Sequence, residues 1–418
     1  MSGDESAKGT RKKARGQTSV VGTGSYGCAV RGPLPCAVTP TRHPDLPLKS
    51  RSEIASTVSN QPAIGKVLFS TRRPLEVLNE ESFAQSYIDD ADHTFTVPYY
   101  GACEVDADET SMTSLSEECA STPDKVKPLS SIQLIYGDGG MDLVDFIHSR
   151  KTLVDVMDIL SGLTPIITGL ARRAGKLFHG DIKFNNVVIQ HESRADGLQH
   201  ARCRLIDWGT MDHMRSVFQH VKPGMALTAL SSLMGPRYMP ADVFLYAIAA
   251  LDETTYTLAK QSTTFQPLLY FNTSVKAMVE HRAMSASDYY KYSSTARAFT
   301  PEMCELYMTE AYVMYKSKLI GRELDQRTLF DEFLQTNAID VYGIGNLYFS
   351  WIAALHMLPP SQLPTATTES GRKALAIRGK VIDVTIHKWK MLHPNPFMRW
   401  TLQDVATFHG ELMAILQQ

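Results

Sequence analysis

Hydrophobic and polar positions along this chain switch between two periods. Val20-Val21 and Cys28-Ala29-Val30 flank a glycine-bearing turn, and Ala63-Ile64-Gly65-Lys66-Val67-Leu68-Phe69 is a strand-like run with one charge at its centre. From Glu76 to Ile88 the period becomes helical. Counted from Glu80, the offsets +3, +4, +7 and +8 fall on Phe83, Ala84, Tyr87 and Ile88, all on one face. Strand patterns return at Thr94–Cys103 and Ser131–Tyr136, and a helix is expected from about Leu153 to Lys176. Val187-Val188-Ile189 and Arg204-Leu205-Ile206 are short apolar strands, and later patterns such as Met303–Lys318 are helical. Strands with one helix first and mostly helices afterwards predict an α+β fold in two lobes.

Between these elements lie segments of another character. Residues 1–17 are polar, with Lys8, Arg11, Lys12, Lys13 and Arg15 clustered, and are expected as a disordered tail. Such a cluster can be a nuclear address, an anionic docking patch or a plain solvated tail. Residues 32–62 (rich in Pro, Ser and Thr) are expected as an inserted surface loop, 104–128 (acidic, rich in Ser and Thr) as a second surface insertion, and residues 243–338 as a helical elaboration. The domains expected are thus a first lobe over 18–137 and a second over 138–418.

Composition narrows the picture. With 418 residues there is enough chain for two cores, and 44% hydrophobic with 21% charged residues is ordinary for a globular enzyme. No membrane span is expected. A net charge of −2 argues against a chain specialised for nucleic acid, since such domains carry a basic excess. The six cysteines are scattered without a C-x-x-C pair, which favours a reducing compartment and offers no zinc site.

The candidate chemistry lies in two neighbouring motifs. His179-Gly180-Asp181-Ile182-Lys183-Phe184-Asn185-Asn186 precedes the apolar run at Val187, and Leu205-Ile206-Asp207-Trp208-Gly209 follows about twenty residues later. Both polar sets fall at strand ends, where they would line a cleft. Alone, an Asp, a Lys and an Asn on a loop are most often turn formers and solvated charges. In this order and spacing they are hard to obtain by accident. Upstream, Gly22-Thr23-Gly24-Ser25-Tyr26-Gly27 is a complete G-x-G-x-x-G. In dinucleotide-binding folds that spacing opens a helix, but here Cys28-Ala29-Val30 reads as a second strand, so a hairpin lid over phosphates fits better.

Together these motifs resemble the eukaryotic-type Ser/Thr protein kinase superfamily, most closely the divergent kinases of large DNA viruses, over roughly residues 18–410. The resemblance implies a bilobal kinase-like fold with a small antiparallel lobe carrying one key helix. It implies ATP as phosphoryl donor, Mg2+ (or Mn2+) held by Asn186 and Asp207, Asp181 as acceptor of the substrate hydroxyl's proton, and Lys183 as a neutralising charge. Protein substrates with Ser or Thr acceptors follow, with Lys183 favouring Ser/Thr over Tyr. Gly22, Thr23, Gly24, Ser25, Tyr26, Gly27 and Ala29 would cover the nucleotide, Tyr136, Gly137 and Val188 would border the adenine, and Gly137–Gly140 would be the hinge. Lys66 would contact the α- and β-phosphates and pair with a helix carboxylate, Glu80 first, with Glu81 and Glu76 as competitors. An edge-strand lysine and a solvated helix glutamate are the plain alternatives.

The chain also departs from the family. Trp208 stands where Phe is usual, Ala29 where Val is usual, Asp242 for Glu, and Gly235 for a threonine that orients the catalytic Asp and Lys. Asp340 matches the Asp that braces the catalytic loop, and Arg399 with Asp242 is an expected ion pair. Gly180 replaces an arginine that in many kinases binds a phosphorylated activation segment, so activity without phosphorylation at Thr210, Ser216, Thr228, Ser231 or Ser232 is expected, unless Arg215 or Arg237 supplies the cation. The alternative to an active kinase is a pseudokinase or scaffold that has kept the fold for binding. The expected setting is intracellular, cytoplasm or nucleus, including that of a virus-infected cell.

Overall fold

The computed structural model describes residues 19–23, 27–59, 61–71, 73–88, 93–120, 125–149, 152–193, 199–209, 338–386, 389–393 and 395–418, with isolated positions between 306 and 317. The fold is mixed α and β, with antiparallel sheets and helices. Contacts divide the chain into two units, one of Met1–Asn79 and Val97–Asp138, the other of Glu80–Thr96 and Gly139–Gln418.

The first unit is built on β1 (Ser19–Thr23), β2 (Gly27–Arg31), α1 (Arg51–Val58), β3 (Ala63–Phe69), the first residues of α2 (Pro74–Ile88), β4 (Tyr99–Glu104), α3 (Glu109–Cys119) and β5 (Leu129–Gly137). Its five strands pair antiparallel in the order β1-β2-β3-β5-β4. Because side chains alternate along a strand, the register sorts them by face. Ala29 lies opposite Lys66, and Lys66 opposite Leu134; Ile64 lies opposite Tyr136. That face also carries Leu68, Ala102 and Ile132, which pack with Val77 and Leu78 of α2. The other face carries Cys28, Val30, Val67, Ala63, Ile135 and Cys103, covered by Leu115 and Cys119 of α3 and by Ile54 of α1.

The segment expected as a surface loop, 32–62, and the insertion expected at 104–128 both carry helical structure. Each supplies a capped helix laid against the sheet. Ser50 and Glu53 form a capping box on α1, and Asp108 accepts the Ser111 N–H at 2.7 Å to start α3. The connection after β2 also satisfies buried Glu104, which accepts the Thr41 and Arg42 N–H groups at 3.0 and 2.9 Å. Four cysteines join the same layer, Cys28 with Cys119 and Cys36 with Cys103, as disulfides with Cα atoms 5.9 and 5.7 Å apart. Nothing in the cysteine spacing pointed to either pair.

The second unit continues with β6 (Met141–Asp142), α4 (Leu143–His148), α5 (Leu153–Gly162), α6 (Thr164–Arg172), β7 (Val187–Ser193), β8 (Gln199–Leu205), α7 (Ala338–Met357), α8 (Glu369–Ile386) and α9 (Leu402–Leu416). A small sheet runs β6-β7-β8, with Val187 opposite Leu205. The end of α2 belongs here because Ala84, Ile88 and Phe95 enter this unit's core beside Leu160, Ile166 and Leu170.

The expected single helix from Leu153 is two. Leu163 caps α5, and Pro165, which lacks an N–H and is tolerated only in a first turn, opens α6. Leu153–Arg172 is long and apolar enough to cross a membrane by length and composition alone, but it is a core element, with Val156, Ile159, Leu160, Leu163, Ile166, Ile167 and Leu170 buried. Trp351 of α7 is fully buried and donates its indole N–H to the Val156 carbonyl at 2.6 Å.

Candidate functional site

The loop His179–Asn186 lies between α6 and β7, and three anchors fix its backbone. The first is Asp340, on the first turn of α7 and fully buried. It accepts the His179 N–H at 2.8 and 3.1 Å and the Gly180 N–H at 2.9 Å. Burial raises the pKa of this carboxyl, and the Gly180 and His179 contacts work against that rise. The second is His179 itself, also fully buried. Its Nδ1 takes the Asp181 N–H at 3.3 Å, so Nδ1 is the acceptor and Nε2 donates to the Ile206 carbonyl at 2.9 Å. The third is the Asn186 carbonyl, which accepts the Ile206 N–H at 3.0 Å. The loop and the residue that follows β8, Ile206, are thereby tied at two points.

Two glycines are required by this geometry. Gly180 has φ +79°, the left-handed region that costs a side-chain-bearing residue about 1–2 kcal/mol. Gly343 lets α7 approach the loop, since a Cβ there would lie 2.6 Å from the Ile182 Cβ.

On this frame the polar side chains converge on Asp181. Its Oδ2 accepts from Lys183 Nζ at 2.7 Å and from Asn186 Nδ2 at 2.9 Å, while Asn186 Nδ2 also reaches the Asp181 carbonyl at 2.9 Å. Oδ1 of Asp181 and Oδ1 of Asn186 accept no hydrogen bond among the described residues. Asp207 is exposed with φ +65°. Trp208 beside it is buried, its ring 4.6 Å from that of His179 and 6.2 Å from that of Phe95, and its Nε1 has no hydrogen-bond partner among the described residues.

Glu80 lies near this loop end: a Cβ on Gly209 would be 3.7 Å from Glu80 Oε2. Burial alone ranks its competitor higher, since Glu81 is buried and accepts from Gln85 at 3.0 Å, while Glu80 is half-buried. Glu76 is exposed and paired with Arg73.

The remaining candidates for nucleotide contact belong to the first unit, apart from Val188 in β7. Ala29, Lys66 and Tyr136 share one face of the five-stranded sheet. Gly22 lies opposite Ala29 and Gly27 opposite Leu68. Thr23 donates its hydroxyl to the Cys119 carbonyl at 2.7 Å, and the Gly137 N–H goes to the Pro98 carbonyl at 2.9 Å. Gly24, Ser25, Tyr26, Thr210, Ser216, Thr228, Ser231, Ser232, Arg215, Gly235, Arg237 and Asp242, all named from the sequence, lie outside the described residues. Arg399 is buried and donates to the His393 and Ala338 carbonyls at 2.6 and 2.9 Å, with its guanidinium 5.0 Å over the Tyr342 ring.

No family model matches the chain, and no curated protein matches it.

Among the described residues no three His, Cys, Asp or Glu side chains gather as a metal site. Asn186 Oδ1 and the Asp207 carboxylate are two hard oxygen donors, a set that suits Mg2+ only when other oxygens, such as phosphates, complete the shell.

Proposed function

We propose that the chain is a protein kinase of bilobal type that transfers the γ-phosphoryl group of ATP to Ser or Thr hydroxyls of protein substrates. The observation that carries this reading is the Asp181 cluster. A carboxylate with one oxygen occupied by Lys183 and Asn186, and the other accepting from no donor among the described residues, is poised to accept a proton. As the hydroxyl oxygen bonds to phosphorus and the β–γ bridge breaks, that proton would pass to Asp181 Oδ1.

Lys183 would place positive charge beside the moving phosphoryl group. Asn186 Oδ1 and Asp207 would hold Mg2+, which when bound with ATP screens the charge of the phosphates. Lys66, Glu80, the glycine-rich segment, Tyr136, Gly137 and Val188 keep the nucleotide roles that the resemblance assigns them. An intracellular setting is part of the same reading.

The test is phosphorylation of a generic basic protein with labelled ATP and Mg2+, beside Asp181→Asn. Transfer by the wild type and a loss of a hundredfold or more in the variant are expected, equivalent to about 2.7 kcal/mol of transition-state stabilisation. Equal incorporation by both proteins would overturn the assignment. Saturable nucleotide binding without transfer would favour a pseudokinase.

A further inference from the structure

The second unit contains a cavity of about 770 Å3 on the side of α5 that faces β8, α8 and α9. That size lies within the range of small-molecule sites, roughly 300–1,000 Å3. Its apolar wall is formed by Met157, Ile377, Met413 and Leu416, from three different helices. Its polar lining includes Asp158 and His200.

These two polar groups are unusual in being unused. Asp158 is half-buried and makes neither hydrogen bond nor ion pair among the described residues. Burial pushes its carboxyl above the usual range, opposed by the nearby His191 and His200. His200 Nδ1 is buried without a hydrogen-bond partner among the described residues. Leaving a buried nitrogen such as His200 Nδ1 dry and unpaired costs on the order of 1–3 kcal/mol. The other charges in the lining are spent. Glu192 accepts from Arg202 at 3.2 Å and from Arg204 at 2.8 Å, and Arg202 also donates to the His93 carbonyl at 3.1 Å. An anionic ligand would have to break those bonds, whereas a cation finds Asp158 open.

We infer that this cavity binds an amphipathic amine, its ammonium donating to Asp158 and His200 Nδ1 and its hydrocarbon body lying among Met157, Ile377, Met413 and Leu416. The inference does not rest on the kinase reading. Ligand and transfer sites use different residues.

The test is titration of the full chain with hexylamine, octylamine and decylamine, all below their micelle concentrations, and with octanoic acid, followed by calorimetry and by methyl NMR of methionine-labelled protein. Expected is one saturable amine site with shifts at Met157 and Met413, and affinity rising roughly fourfold per added methylene. Asp158→Asn should weaken octylamine at least tenfold, and Ala374→Trp, which fills the cavity, should abolish binding. A melting curve of each unliganded variant checks that it folds, and either variant alone suffices. Absence of saturable amine binding, octanoic acid binding as tightly as octylamine, or amine affinity unchanged in a folded variant would overturn the proposal.

Discussion

The Asp340 carboxylate accepts the backbone N–H of Gly180 at 2.9 Å, across 160 positions of sequence. A buried side chain on α7 thus holds a left-handed residue immediately before Asp181. In Asp340→Asn one acceptor oxygen becomes a donor facing N–H groups, and a loss of about 2–3 kcal/mol in urea unfolding is expected. Gly180→Ala should cost about 1–2 kcal/mol through φ alone. Variants as stable as the wild type would show that these bonds do not hold the loop.

Asp207 combines exposure with φ +65°, so its substitutions separate chemistry from folding. Asn tolerates the left-handed region and Ala does so less well. Asp207→Asn is expected to lose at least a hundredfold in transfer while its melting temperature stays within a few degrees of the wild type. Near-normal turnover would remove Asp207 from the metal set.

The two cysteine pairs close loops of 91 and 67 residues, one inside the other. Chain entropy sets about 4 kcal/mol for a loop of this size, less for the second because the first has already restricted it. Intact mass under non-reducing conditions should show four cysteines oxidised, and dithiothreitol should lower unfolding free energy by about 2–5 kcal/mol for one bridge and by a smaller amount for the other. Rapid labelling of these four by maleimide in the native protein purified without reductant would contradict the pairing. It would also agree with the reducing compartment proposed from sequence.

His409 gives the stability a pH slope. Its Nδ1 meets the Tyr348 hydroxyl and its Nε2 the Thr164 hydroxyl, both at 2.8 Å, and burial lowers its pKa to about 4. The unfolded chain takes the proton near pH 6.5, so its stabilising effect is full above that pH and is lost as pH falls from 6.5 towards 4. The loss is at most about 3 kcal/mol. His393, lowered to about 4 mainly by burial, adds slope in the same window. Melting curves from pH 7.5 to 4.5 should therefore fall less steeply for His409→Gln, and identical slopes would exclude His409.

Local pattern revealed what local forces make. β3 runs from Ala63 to Phe69 as its apolar run reads, α5 begins at Leu153 as expected, and the strands beside both motifs are present. Polar helices were harder to see. In α1 only Ile54 is buried, so no apolar stripe marks it among the serines and threonines of its segment. The break at Leu163 was hidden because apolar residues continue at helical spacing through it, leaving Pro165 as the single sign. At the site, the residue types and spacing of Asp181, Lys183 and Asn186 were legible, but their convergence on one oxygen depends on α7, far along the chain. The positive φ of Asp207 and the nearness of Glu80 to Gly209 are likewise tertiary facts. Glu81 follows Glu80 directly, and helical phase alone does not separate their burial.

The nesting of Cys36–Cys103 inside Cys28–Cys119 gives the first unit a consequence for cleavage. A protease that cuts once anywhere between Cys36 and Cys103 opens the peptide chain without releasing a fragment, because two sulfur bridges still join the halves. β1, β2 and the rest of the sheet then remain one covalent body, and the cut becomes visible by size only after the bridges are reduced.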